Sequence, residues 1–212
     1  MNKKVILSIV IVALALIGFL LIGNIAYNIT DGDNETKTIN EVKEKNEVQS
    51  IETSNKKVAV VYFSATGTTK QVAELIKDET SADIFEIMPK QKYTSEDLNY
   101  GDRNTRATKE QNDENARPEI ENKIDLSNYD IVYLGYPIWW GNVPKIVLSF
   151  MDNTNLDGKT VIPFCTSGST GISTSENTLK SYKTNINWIS GKRFSNSTTK
   201  DEVSNWIKNL NY

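Results

Sequence analysis

Apolar positions along the chain fall into three regimes. Val5 to Ile22 is an eighteen-residue run without a charge, broken only by Ser8. Residues 28–55 are polar and short of large apolar groups. From Lys56 onward, short apolar runs alternate with helical periodicity. Val58 to Phe63 is apolar throughout and predicts a buried strand. Val72, Ala73, Leu75 and Ile76 then share one face of a predicted helix. Asp83 to Met88 alternates and is closed by Pro89, as an edge-side strand would be. Ile131 to Tyr136 predicts a buried central strand and Ile146 to Met151 a buried helix. Lys159 to Cys165 predicts a fourth strand, followed by a small-residue loop and a helix to about Tyr182. Ile186 to Phe194 predicts a short fifth strand. Lys200 to Leu210 predicts a last helix, with Val203, Trp206, Ile207 and Leu210 inward. Between the second and third strands, Lys90 to Lys123 is a long polar excursion. Tyr93 and Tyr100 are expected in its loop, and Thr105 to Asn115 as an exposed helix. Strands alternating with helices imply an α/β fold with a doubly wound parallel sheet, covered on both faces. The expected units are an N-terminal membrane anchor over 1–27, a polar linker over 28–55 and an α/β domain over 56–212.

Charge refines the first two units. The net charge is −3, with Lys3 and Lys4 before the apolar run and seven acids against three lysines in residues 31–55. Eighteen uncharged residues suffice to cross a bilayer and exceed the usual core of a cleaved signal peptide. No clean small-residue cleavage site follows, so an uncleaved single-pass anchor is expected, with a signal peptide as the alternative. No cysteine follows the run, which excludes a lipoprotein anchor. The two lysines favour a cytoplasmic N-terminus, which would place the domain on the extracytoplasmic face of the cell membrane. The domain is nearly neutral, with no basic patch for nucleic acid. The chain has no histidine, which removes His-based triads and most zinc or copper sites. Cys165, the single cysteine, cannot form an internal disulfide.

The candidate chemistry sits where strands end, because ligands of parallel sheets bind outside the carboxyl ends of the strands. The first loop is Ser64-Ala65-Thr66-Gly67-Thr68-Thr69. A helix N-terminus offers free N–H groups and a positive dipole end to an anion, and these hydroxyls add donors. Neither a Walker loop nor a three-glycine dinucleotide fingerprint is present. The loop reads as a phosphate cradle or, more plainly, as an N-capped helix. The second loop, Pro137-Ile138-Trp139-Trp140-Gly141-Asn142, carries two adjacent indoles. At least one should be partly exposed, either as a platform for a planar ligand or as a brace between helix and sheet. The third loop, Thr166-Ser167-Gly168-Ser169-Thr170-Gly171, suits a close backbone approach to a ring edge or is a plain turn.

Taken together, the three loops resemble the flavodoxin-like FMN proteins. Ser64-x-Thr66-Gly67-x-Thr69, Pro137-x-Trp139-Trp140-Gly141-x-x-Pro144 and Ser167-Gly168-Ser169-x-Gly171 fall in family order. The resemblance covers residues 56–212 and implies a five-stranded sheet in the order 2-1-3-4-5, non-covalent FMN and redox chemistry at the flavin. Carried over, Ser64, Thr66, Gly67, Thr68 and Thr69 would hold the phosphate. Pro137, Ile138, Trp139, Trp140, Gly141 and Asn142, with Thr166, Ser167, Gly168, Ser169 and Gly171, would flank the isoalloxazine. The anchor and linker depart from the usual soluble members.

Three functions are then open. The first is a tethered electron carrier serving a redox partner protein. The second is a reductase moving a hydride from a nicotinamide to a quinone or nitro compound, a small-molecule electron acceptor. The third is a binding domain with a decayed flavin site. No general acid or base is needed, since the flavin supplies the chemistry. Near-neutral loops and stacking are expected to disfavour negative charge on the reduced ring and lower its potential. Acidic surfaces are usual for carriers that dock basic reductases, so a neutral domain weighs against the first reading. The missing nicotinamide fingerprint weighs against the second.

Overall fold

The computed structural model describes residues 56–211, so the expected anchor and linker lie outside the described residues. Among the described residues no helix is long and apolar enough to cross a membrane. Six strands form one sheet: β1 (Val58–Tyr62), β2 (Asp83–Glu86), β3 (Ile131–Pro137), β4 (Thr160–Thr166), β5 (Asn187–Trp188) and β6 (Lys192–Phe194). Every pairing is parallel. The order is β2-β1-β3-β4-β5, with β6 also beside β4, which is the expected 2-1-3-4-5 arrangement. The helices are α1 (Thr68–Thr80), α2 (Arg106–Asn112), α3 (Lys145–Asn153), α4 (Ser173–Tyr182) and α5 (Lys200–Lys208).

Both faces of the central strands are apolar, so the period-2 alternation divides two cores rather than core from solvent. Ala59, Val61, Val132, Leu134 and Cys165 face Ile146, Val147 and Phe150 of α3 and Leu179 of α4. Val60, Tyr62, Tyr133, Ile162 and Phe164 face Val72, Ala73 and Ile76 of α1 and Val203 of α5. On this second face Gly135 lies directly beside Phe164 in register.

The expected fifth strand, Ile186 to Phe194, is broken in two, and Pro163 explains the break. Asn187 N–H donates to Lys159 O, just before β4, at 2.9 Å and Ile189 N–H to Val161 O at 3.0 Å, so alternate residues from Lys159 onward serve this edge. Pro163 is the next in that series and has no N–H to give. The edge strand takes in one extra residue there: Val161 pairs with Trp188, but Phe164 pairs with Lys192. Such a bulge is the usual place for a proline in a sheet. At the bulge Gly191 passes so close that an added Cβ would lie 2.1 Å from Pro163 O.

The excursion between β2 and β3 differs from expectation. Its helix α2 is not an exposed accessory, because Ala107 and Thr108 are buried and Ala107 belongs to the core beside α3. Thr105 caps it, accepting from Thr108 N–H at 3.2 Å. Tyr93 is tied down by Glu110 at 2.5 Å and by the Arg106 guanidinium over its ring at 4.2 Å.

Cys165 has no exposed surface, and burial pushes its thiol up to about 12. A thiol reagent near neutral pH is therefore expected to leave the native protein untouched and to label one thiol after denaturation. The ordinary value is 9.0, so the unfolded chain releases this proton first. Stability should fall as pH rises from about 9 to about 12, and Cys165→Ala should flatten that fall, as read by urea midpoints across the range.

Candidate functional site

The loop between β1 and α1 turns through Gly67, at φ 90°, in the left-handed region that favours glycine. Its N–H donates to Ser64 Oγ at 3.1 Å, which folds the loop and leaves the serine proton free. Helix α1 has no side-chain cap, whereas α2 and α5 are capped by Thr105 and Thr199. The first-turn N–H groups of α1 therefore lack intrahelical acceptors and point out of the helix. Thr66 is exposed and Thr68 half-buried. Thr69 differs: it is buried, and its Oγ1 lies 2.7 Å from Thr166 Oγ1. That hydrogen bond ties the first loop to the third and uses one of the two hydroxyl protons.

The second loop is a two-residue hairpin turn. Trp139 and Asn142 exchange both backbone hydrogen bonds at 2.9 Å. Trp140 and Gly141 take φ 46° and 78°, the pattern of a type I′ turn. Glycine suits this geometry, but a left-handed tryptophan costs about 1–3 kcal/mol and must be held by its surroundings. Two holds are present. Gln111 Nε2 on α2 donates to Val143 O at 3.0 Å and Trp139 O at 3.3 Å. The Tyr100 ring lies against Trp140 at 4.6 Å with the planes tilted by 36°.

The two indoles differ in burial. Trp139 is 4% exposed and packs edge-on against Tyr93 at 4.9 Å and Phe63 at 5.4 Å, so its ring is the brace. Trp140 is half-buried, with its ring against Tyr100. In the third loop, Thr166 is buried and Ser167 half-buried, while Gly168, Ser169, Thr170 and Gly171 are exposed. Ile138 N–H donates to Thr166 O at 2.9 Å, joining the second and third loops. Ser167 Oγ donates to Thr170 O.

Between the three loops lies a cavity of about 420 Å³, within the range of small-molecule sites, roughly 300–1,000 Å³. Thr66, Thr68, Pro137, Ile138, Trp139, Thr166, Ser167 and Gly168 line it. Ser64 faces a neighbouring cavity of about 280 Å³ with Glu86 and Lys92. Gly67, Thr69, Trp140, Gly141, Asn142, Ser169 and Gly171 shape the loops without lining the main cavity. Its wall also includes Leu98, Tyr100 and Asn196, which sequence reasoning had not assigned to the site. Tyr100 carried a signal, an aromatic beside glycine in a polar stretch. Leu98 and Asn196 carried none.

No lining residue is charged, so an anion here would be held by hydroxyls and main-chain N–H groups. Burial raises the Tyr100 phenol. Burial and then the Glu110 hydrogen bond raise that of Tyr93 well above its usual range. Neither phenol can act as a base near neutral pH. The donors at the start of α1, next to flat apolar walls, fit a phosphate joined to a planar ring system.

These features are those of a flavoprotein of the doubly wound type. The chain belongs to the flavodoxin family, whose model matches residues 57–210. A protein from Bacteroides uniformis assigned as a flavoprotein is 40% identical in the aligned part. Its crystal structure superposes with a TM-score of 0.70 and covers 72% of this chain and 98% of its own. A counterpart from Bacteroides eggerthii is also 40% identical, with a TM-score of 0.70, covering 73% of this chain and 97% of its own. A flavoprotein from Lactobacillus acidophilus, solved in complex with FMN, is 25% identical with a TM-score of 0.56. It covers 72% of this chain and 99% of its own. No curated protein matches the chain.

Proposed function

We propose that this chain is an FMN-binding electron-transfer protein held at the membrane by its N-terminal segment. The observation that carries the reading is the uncharged, donor-lined cavity at the start of α1, walled by Pro137–Trp139 and the Ser167–Gly168 loop. Thr66, Thr68 and the first-turn N–H groups of α1 would hold the phosphate, with Gly67 letting the backbone come close. Pro137, Ile138, Trp139 and Tyr100, which line the cavity, would orient the ring. Thr166, Ser167 and Gly168 would offer hydrogen bonds to its edge, with Thr69 setting the Thr166 hydroxyl. When bound, FMN supplies the redox chemistry, and the protein contributes position and electrostatics. The intact loops argue against a decayed site.

The membrane part of the proposal rests on Val5 to Ile22 and on Lys3 and Lys4 before it. A domain outside the cytoplasm would have little free nicotinamide to draw on, which favours a carrier over a reductase. One feature favours the reductase: Tyr100 is 57% exposed at the cavity wall, where its ring could stack a nicotinamide. Stepwise reduction of the purified flavoprotein separates the two. Uptake of electrons one at a time supports the carrier, and direct bleaching by NADH or NADPH supports the reductase. Protease added to wall-stripped cells tests the orientation: the domain should be released by cleavage near residues 31–55, and a protected domain would reverse the topology.

A further inference from the structure

The loops are neutral, but what stands behind them is not. Arg193 on β6 pairs in register with Cys165 of β4 and is half-buried. Its Nη1 donates to Ser167 O at 3.0 Å, and Ser167 lines the cavity. The guanidinium therefore stands directly behind the third loop. Strand alternation sets its direction. Phe194 packs into the core beside α1 and α5, so its neighbour Arg193 points to the opposite face, beneath α4.

Two further charges, both on α4, pair with each other. Glu176, in the first turn of α4, is buried and ion-paired to Lys180 at 2.6 Å. Beyond burial, the Cys165 thiol senses both groups, Arg193 opposing its rise and Glu176 adding to it. Lys180 balances Glu176, while Arg193 has no carboxylate partner among the described residues. An arginine keeps its charge at every accessible pH.

We infer that Arg193 tunes the redox potential of the bound flavin, its fixed charge behind Ser167 favouring the reduced cofactor over the oxidised one. This rests on the FMN reading above. With the phosphate at the start of α1, the ring is left the space between Pro137–Trp139 and Thr166–Gly168. Reduction adds two electrons to that ring and one proton from solvent near neutral pH, so the reduced ring carries a negative charge that the oxidised ring lacks. A nearby cation in a partly buried site stabilises that state more than the neutral oxidised ring. The expectation that neutral loops lower the potential is thereby modified: Arg193 acts through the loop and opposes that drift. It is a positioning and tuning residue, not one that touches the reacting atoms.

The test is a redox titration of the FMN-loaded protein, with dithionite supplying the two electrons, for wild type, Arg193→Gln and Arg193→Lys. Arg193→Gln should lower the preference for reduced over oxidised FMN about tenfold, a fall of about 30 mV for the two-electron couple. Arg193→Lys keeps the charge and should retain most of the preference. Glu176→Gln leaves Lys180 unbalanced and should shift the preference the other way. An unchanged preference in Arg193→Gln overturns the inference. So does an equal loss in the Gln and Lys variants, which would make the Ser167 hydrogen bond the cause rather than charge. A loss seen with FMN but absent with riboflavin also overturns it, since Arg193 would then act on the phosphate. Should Arg193→Gln not fold, Glu176→Gln decides: a raised preference supports the inference, and no change or a fall overturns it. A wild-type protein that takes up no flavin would bring down the FMN reading itself, and this inference with it.

Discussion

Replacing Gly135 by alanine is expected to destabilise the domain by about 1–3 kcal/mol, the usual cost of an extra carbon in a filled core. The added Cβ would stand 2.1 Å from Phe164 Cζ and 2.6 and 2.7 Å from its Cε atoms. Phe164 has no exposed surface and shares its core with Tyr133, Phe194, Val72 and Val203, so the ring has nowhere to turn. The effect reaches the site, because β3 and β4 carry the second and third loops from their carboxyl ends. The urea midpoint should fall with little change in slope. Adding Phe164→Leu should recover part of the loss, since the two positions share one volume. A midpoint unchanged in Gly135→Ala would mean that Phe164 has space to yield.

The second large effect concerns the cradle. Replacing Thr66 and Thr68 together by alanine removes the two hydroxyls that the first loop presents to the cavity. Hydrogen bonds to a charged group are worth about 1.5–3 kcal/mol each, so FMN affinity should fall by about a hundredfold or more. Riboflavin, which lacks the phosphate, should lose little. Thr69 is the less informative target, although the loop pattern places it with the phosphate donors. Its hydroxyl is bonded to Thr166, so Thr69→Ala would disturb two loops at once. Titration of each variant with both flavins checks this, and equal losses for FMN and riboflavin would mean that the loop does not hold a phosphate.

The sheet was legible because runs such as Val58–Tyr62 and Ile131–Tyr136 are apolar on both faces, which only a doubly covered strand tolerates. The three loops were legible because small hydroxylated residues, glycines and indoles follow the carboxyl ends of buried strands, where ligands of parallel sheets bind. The broken edge strand was not, since it depends on which neighbour the missing N–H of Pro163 would have served, and that requires the register. The unequal burial of Trp139 and Trp140 depended on a turn that forces one of them into the left-handed region. Leu98 and Asn196 reach the cavity only through the path of the excursion and of the β6–α5 loop, which no local pattern specifies. Arg193 sat unremarked in a predicted strand because its meaning lies in what Ser167 lines.

The most direct measurement is titration of the purified protein with FMN, followed by the flavin visible spectrum and tryptophan fluorescence, with riboflavin as the comparison. One FMN per chain should be taken up, with quenching of the tryptophan at the cavity wall, Trp139, and clearly weaker riboflavin binding. No uptake, or equal affinity for the two flavins, would contradict the assignment of the cavity between the three strand-end loops as an FMN site.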